Sequence, residues 1–185
     1  SRVMLVTMRR YWTFHSIIQF VPVWYSEQGY EASFYGPLVT LIIFAGATGT
    51  LLGGAFADRI GSKRIVVVTL SLLVPALLLF VGFPGPLAFA TGIAVGMLSE
   101  ASLSVTLVMA QELVPGRVGV TSGVILGLGF VTGGIGVPVT GRLADSLGMQ
   151  SALFLLAVPI ALAIGLALTL PADRERSRLN LATAR

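Results

Sequence analysis

Six apolar stretches, each near the roughly 20 residues that carry a helix across hydrocarbon, leave this chain few ways to fold. They run over about 4–25, 34–57, 65–83, 86–111, 118–141 and 151–170. Breakers separate them: Ser26-Glu27-Gln28-Gly29, Asp58-Arg59-Ile60-Gly61, Gly82-Phe83-Pro84-Gly85-Pro86, Pro115-Gly116-Arg117 and Ala144-Asp145-Ser146-Leu147-Gly148, with Pro171 closing the last. Of the 185 residues, 55% are hydrophobic and only 11% charged, where a soluble domain carries about 25% charged residues. A chain of this size cannot hide so much apolar side chain in a water-soluble core. The expected fold is therefore an all-α membrane protein of six transmembrane helices. High apolar content with a net charge of only +4 excludes disorder. With no cysteine and a single histidine, neither a disulfide framework nor a thiolate or histidine-cluster metal site can form. No metal or other cofactor is expected.

The basic residues set an orientation. With the N-terminus in the cytoplasm and six crossings, Arg2, Arg9, Arg10, Arg59, Lys63, Arg64, Arg117, Arg174, Arg176, Arg178 and Arg185 fall inside, and Arg142 alone falls outside. That partition follows the positive-inside rule, and an odd number of helices would break it. A bilayer accounts for the basic excess, and nucleic acid is not an expected partner because the cations form no patch. His15 and Gln19 interrupt the first stretch and no small-x-small site follows Tyr25, so it does not read as a signal peptide. Residues 1–171 read as one six-helix unit and 172–185 as a polar cytoplasmic tail.

An internal repeat lies inside this pattern. Residues 46–61, GATGTLLGGAFADRIG, and 133–148, GGIGVPVTGRLADSLG, agree at Gly46/Gly133, Gly49/Gly136, Gly54/Gly141, Ala57/Ala144, Asp58/Asp145 and Gly61/Gly148. The chain thus divides into two three-helix units, and because three is odd the second is inverted in the membrane. Inverted triplets build each half of certain secondary transporters.

The motifs now resemble a known family. Gly54-Ala-Phe-Ala-Asp58-Arg59-Ile-Gly61-Ser-Lys63-Arg64 is similar to the signature loop between the second and third helices of a six-helix half of the major facilitator superfamily. Ala110-Gln111-Glu112-Leu113-Val114-Pro115-Gly116-Arg117-Val118-Gly119, Ser122-Gly123 and the glycine-rich run to Gly141-Arg142-Leu143-Ala144-Asp145 resemble the C-terminal half of fosmidomycin-resistance-type efflux transporters. Arg10-Tyr-Trp12 and Phe20-Val-Pro22-Val-Trp24-Tyr25 look like the first helix of that half. The resemblance implies a secondary transporter of twelve helices, here its C-terminal six, exporting a drug or small molecule, anions included, against protons. It implies a bacterial inner membrane, cytoplasmic termini, and a missing N-terminal six-helix half or a second copy as partner. It also implies that the first helix of each triplet lines the cavity.

Polar residues inside the spans point to the same helices, since ionisable groups in hydrocarbon are expensive and default to function. Tyr11, His15 and Gln19 recur at i, i+4 and i+8 on the first helix and make one stripe. Glu100, Ser104 and Gln111 share a face of the fourth. Glu100 is the sharpest candidate: a carboxyl within the membrane can take a proton on one side and release it on the other, or hold a cationic substrate. His15 carries an imidazole suited to proton exchange or anion contact. Arg9 and Arg10 lie nearer the cytoplasmic face, where snorkelling to the interface is expected; turned inward, Arg10 would hold an anionic group such as a phosphonate. The loop Gly54, Asp58, Arg59, Gly61, Lys63, Arg64 reads as a gate. There Asp58 faces a neighbouring helix N-terminus and the cations pair with carboxylates or lipid headgroups. Glycines four apart, Gly49/Gly53, Gly119/Gly123/Gly127 and Gly129/Gly133, are expected to bring helices close. Pro75, Pro138 and Pro159 are expected to bend theirs.

Two other classes compete. An intramembrane enzyme needs a nucleophile with its base, and the adjacent His15 and Ser16 point about 100° apart on a helix; neither HExxH nor GxxxxGK occurs. A non-transporting membrane subunit leaves the repeat and the gate-like loop without a purpose.

Overall fold

The computed structural model describes residues 2–112 and 116–170. They form seven helices: α1 (Arg2–Glu27), α2 (Ala32–Ile60), α3 (Ser62–Gly82), α4 (Leu87–Glu112), α5 (Val118–Leu147), α6 (Met149–Leu155) and α7 (Ala157–Leu168). The polar tail 172–185 and Pro171, with the loop residues 113–115, lie outside the described residues. α2, α3, α4, α5 and the α6–α7 stretch Met149–Leu168 are long and apolar enough to cross a membrane. α1 has the length, about 39 Å at 1.5 Å per residue, but its arginines, histidine and glutamine keep it less apolar than the others.

Two boundaries differ from the sequence reading. The second and fifth helices run on through the motif segments Asp58-Arg59-Ile60 and Ala144–Leu147, and each stops at a glycine, Gly61 (φ 98°) and Gly148 (φ 86°). Charged residues are at home in a last helical turn, so only the positive φ, unfavourable for any side chain, breaks the helix. The two stops are built alike: Gly61 donates to the Ala57 carbonyl and Gly148 to that of Ala144, each at 2.9 Å. The sixth stretch, expected as one bent helix, is instead broken at Leu156. Pro159 has no N–H for the Leu155 carbonyl and so falls in the first turn of a new helix, where that loss is tolerated. Thr13 of α1 donates to the Leu156 carbonyl at the break, at 3.4 Å.

Packing is densest between α2 and α4, followed by α3 against α4 and α1 against α5, with α7 lying against α1 and α3. At three points of the α2–α4 seam a glycine lies directly on the facing backbone. A Cβ on Gly49 would collide with the Met97 backbone, one on Gly53 would come within 2.5 Å of the Ala101 carbonyl oxygen, and one on Gly96 would strike the Ile42 carbonyl. The α1–α5 seam uses glycine on one side only: Cβ atoms would lie 2.5 Å from the Tyr11 ring at Gly129, 2.9 Å from His15 Cγ at Gly133, and inside the Trp12 indole at Gly136. Gly119, Gly123 and Gly127, expected to bring helices close, have open space where a Cβ would stand, with no neighbour within 4 Å. They sit on the exposed face of α5, opposite Ser122 and Ile125, which contact the rest of the bundle.

The seams share a register. Gly46 packs on Glu100, Gly49 on Met97, Gly53 on Ala101 and Ile42 on Gly96; Gly133 packs on His15, Gly136 on Trp12, and Gly129 on Tyr11. Thr140 hydrogen-bonds Ser16 at 2.9 Å. Moving 87 positions from α2 to α5 and 85 positions from α1 to α4 carries every one of these contacts onto its counterpart. His15 and Glu100 are counterparts.

Candidate functional site

Arg10 is turned into the protein, only 1% exposed. Snorkelling to the interface is therefore overturned for this residue. Its neighbour Arg9 does point back along its own helix, with Nη1 3.5 Å from the Leu5 carbonyl oxygen. The physical reason for the difference is helical phase: one residue turns the side chain by 100°, and position 10 faces α4, where a carboxylate waits. Arg10 Nη1 donates to Glu100 Oε1 at 2.8 Å and to the Ser99 carbonyl oxygen at 3.1 Å. The guanidinium carbon also lies 4.5 Å from the centre of the Tyr11 ring, a cation–π distance. Glu100 itself is 17% exposed and makes the one ion pair among the described residues. Arg10 Nε and Nη2 are buried without a hydrogen-bond partner.

The remaining sequence candidates fall around this pair unevenly. Tyr11 is buried and its ring lies 5.5 Å from that of His15. His15 is half-buried, sits 5.5 Å edge-on to Phe130 of α5, and its Nδ1 lies 3.1 Å from the Tyr11 carbonyl. Gln19, at the far end of the stripe, is exposed. Ser104 spends its hydroxyl on the Ala101 carbonyl of its own helix, at 3.1 Å, and makes no polar contact with the pair. Gln111 reaches across to Ser122 of α5 at 2.7 Å.

Sequence reasoning missed a second polar cluster. Trp12 Nε1 donates to Thr140 Oγ1 at 3.0 Å, and that hydroxyl is also bonded to Ser16. Trp12 and Thr140 line an apolar crevice of about 210 Å³ with Leu143, Ala152, Leu155 and Pro159. The signal was present: Thr140 stands 87 positions after Gly53, inside the repeat.

In the loop motif, Gly54 meets nothing within 4 Å of a Cβ position, and Gly61 is the helix breaker. Asp58, Arg59 and Arg64 are exposed. Among the described residues Lys63 pairs with no carboxylate: its Nζ bonds the Leu170 carbonyl, while Arg2 bonds the Thr169 carbonyl at 2.9 Å. Both cations thus sit at the negative end of the last helix, where a helix dipole favours them. Among the described residues no group of three histidine, aspartate or glutamate side chains could hold a metal.

A buried arginine–glutamate pair between the first and fourth helices, in a bundle with a duplicated glycine register, is the setting in which a family comparison becomes decisive. Residues 3–185 match the sequence model of the Major Facilitator Superfamily. The chain belongs to the Major Facilitator Superfamily. It is 40% identical over 138 residues to the uncharacterized MFS-type transporter YfnC of Bacillus subtilis (strain 168), a match covering 74% of this chain and 33% of that protein. It is 35% identical over 111 residues to the fosmidomycin resistance protein of Escherichia coli (strain K12), covering 58% of this chain and 27% of that one. The chain therefore spans about a third of the length of the curated relatives it matches. As a superfamily member it is a multi-pass integral membrane protein of a transporter family rather than an enzyme, and its relationship reaches the drug-resistance branch.

Proposed function

We propose that this chain is one six-span half of a proton-coupled exporter of drugs or small molecules, anions included, working by alternating access in a bacterial inner membrane. The observation that carries this reading is the Arg10–Glu100 pair, an ionic contact between α1 and α4 in the interior of the bundle. Buried charges of this kind mark proton and substrate pathways. The shared register of the two seams supports an inverted repeat: α1 corresponds to α4, α2 to α5, and α3 to α6–α7. In that frame His15 and Glu100 occupy equivalent depths, so two protonatable groups flank the central path. α1 then serves as the sixth span, its polar face turned inward and both termini cytoplasmic. A second six-helix half, or a second copy, completes the cavity. Fosmidomycin enters as a candidate substrate through the name of the relative.

The test uses the full-length protein in vesicles with an imposed pH difference and radiolabelled fosmidomycin. Accumulation is expected with the wild type and should fall to the level of protein-free vesicles in Glu100→Gln, which keeps an amide oxygen for Arg10 to bond. Undiminished pH-driven accumulation in that variant would refute the coupling role.

The loop around Asp58 acts in this scheme as the gate. Charge reversal, Asp58→Lys, is expected to shift the balance between inward- and outward-open forms. These 185 residues hold no cysteine, and any cysteine elsewhere in the full-length protein is replaced by serine, so a thiol introduced at Ser104 is the only one present. Its labelling rate from the cytoplasmic side should change in the Asp58→Lys background; an identical rate would leave the loop with an orientation role alone.

A further inference from the structure

The crevice beside Trp12 and Thr140 plays no part in the proposed transport, and the polar groups on its wall are already spent. The Thr140 hydroxyl accepts from Trp12 Nε1 at 3.0 Å and donates to the Gly136 carbonyl at 3.0 Å. Ser16 is therefore the donor in the 2.9 Å bond between the two hydroxyls. The proton and both lone pairs of Thr140 are used, and so is the one N–H of the indole. The other side chains of the wall are aliphatic: Leu143, Ala152, Leu155, Leu156, Val158 and Pro159. The Leu155 carbonyl, which Pro159 cannot serve, adds one acceptor at most. A buried water needs about two to four polar partners, so water does not settle here. A space of about 210 Å³ left empty forfeits dispersion contacts along its whole wall.

The depth of the crevice is that of lipid tails. Trp12, Thr140 and Pro159 each lie seven residues or more from either end of their spans. That is about 10 Å at 1.5 Å per residue, inside a hydrocarbon layer about 30 Å thick. Leu155 and Val158, which line the crevice, are 40% and 53% exposed, and on a membrane-crossing span that exposure faces acyl chains. The space is also particular to the second triplet. At the matching point of the first, Gly53, 87 positions before Thr140, lies on the Ala101 backbone, and α3 runs unbroken where the last span breaks at Leu156. From these facts we infer that the crevice seats one acyl chain of a bilayer phospholipid, which fills the gap beside the break and packs on the Trp12 indole. The fit is by shape and apolarity, so the tail is recognised and the headgroup is not. A polar or charged solute would shed its water for one hydrogen bond at most, which is unfavourable. The inference requires only that these helices span a bilayer, and it stands or falls separately from proton coupling.

The experiment uses the full-length protein in vesicles of phosphatidylcholine whose acyl chains carry bromine, a contact quencher of indole fluorescence, with the unbrominated lipid as reference. Trp12 and Trp24 are the tryptophans of these 185 residues. Replacing Trp24, and any tryptophan elsewhere in the protein, by phenylalanine leaves Trp12 as the reporter. Its emission is expected to fall by about half or more when the bromines sit at mid-chain, because a seated chain brings them to van der Waals distance of the ring. Bromines next to the headgroup should quench it less. Ala152→Leu and Leu143→Phe each push carbon into the crevice and should restore about half or more of the lost emission, since the chain is then excluded. Trp12 emission indifferent to mid-chain bromine overturns the inference, because the crevice is then empty or covered by protein, a helix of the other half included. Quenching that neither filled variant relieves also overturns it, since lipid then reaches the ring by another route. If neither variant folds, the depth series decides alone: quenching as strong from headgroup-proximal bromines as from mid-chain ones overturns the seat.

Discussion

Glu100→Met is expected to destabilise the protein by about 3–5 kcal/mol, because it strands a buried guanidinium. Arg10→Met/Glu100→Met should recover most of that loss, to within about 1 kcal/mol of the wild type or better, since two flexible apolar side chains can fill the volume of the pair. The contrast between single and double variants is the informative quantity, as the two residues are in direct contact and their effects cannot add. Thermal unfolding of the full-length protein in detergent measures it. Equal destabilisation by the single and double variants would show that the pair contributes packing and no compensated charge. Transport should be absent from the double variant despite its stability, which separates holding the bundle together from moving a proton through it.

The second large effect concerns the α2–α4 seam. Gly49→Ala places a methyl group against the Met97 backbone, and a backbone cannot swing aside as a side chain does. The helices must part over the whole contact, at an expected cost of about 3 kcal/mol. Gly54→Ala, one turn further on, meets nothing within 4 Å and should be neutral or stabilising by up to about 1 kcal/mol, through the helix preference for alanine. Unfolding midpoints of the two variants, compared side by side, check this. Similar values would mean that the seam is looser than its geometry indicates.

These contrasts show what could be read from residues alone. The rough extent of the helices was legible, apart from the break at Leu156 that makes seven of the expected six, because hydropathy in a bilayer is a strong signal and the breakers between spans are dense in glycine, proline and charge. The ends were less so: Asp58 and Asp145 look like loop residues, yet a helix tolerates them until Gly61 or Gly148 demands a positive φ. Glu100 was visible as an intramembrane carboxylate, but its partner was not, since Arg10 near a cytoplasmic end looks like an anchor. The missing step was physical rather than statistical. Two opposite charges placed inside apolar spans are each too costly to leave alone, so they should be sought as a pair.

The repeat was half visible for a related reason. It showed as identity between α2 and α5, where glycine recurs, and vanished between α1 and α4. There the contacts are kept while the chemistry changes: the Ile42 carbonyl occupies the space at Gly96, whereas the Tyr11 ring occupies the space at Gly129. Complementarity survived where similarity did not, and a comparison of letters detects only the latter. The offset also changes, 87 positions for one helix pair and 85 for the other, so a single shift could not align both.

Arg2 and Lys63 each grip the carbonyl end of the last helix, at Thr169 and Leu170. The opening and closing segments of the bundle are thereby fastened at one corner, together with the start of α3. Fraying of the end of α7 therefore frees a side chain of α1 and one of α3 together.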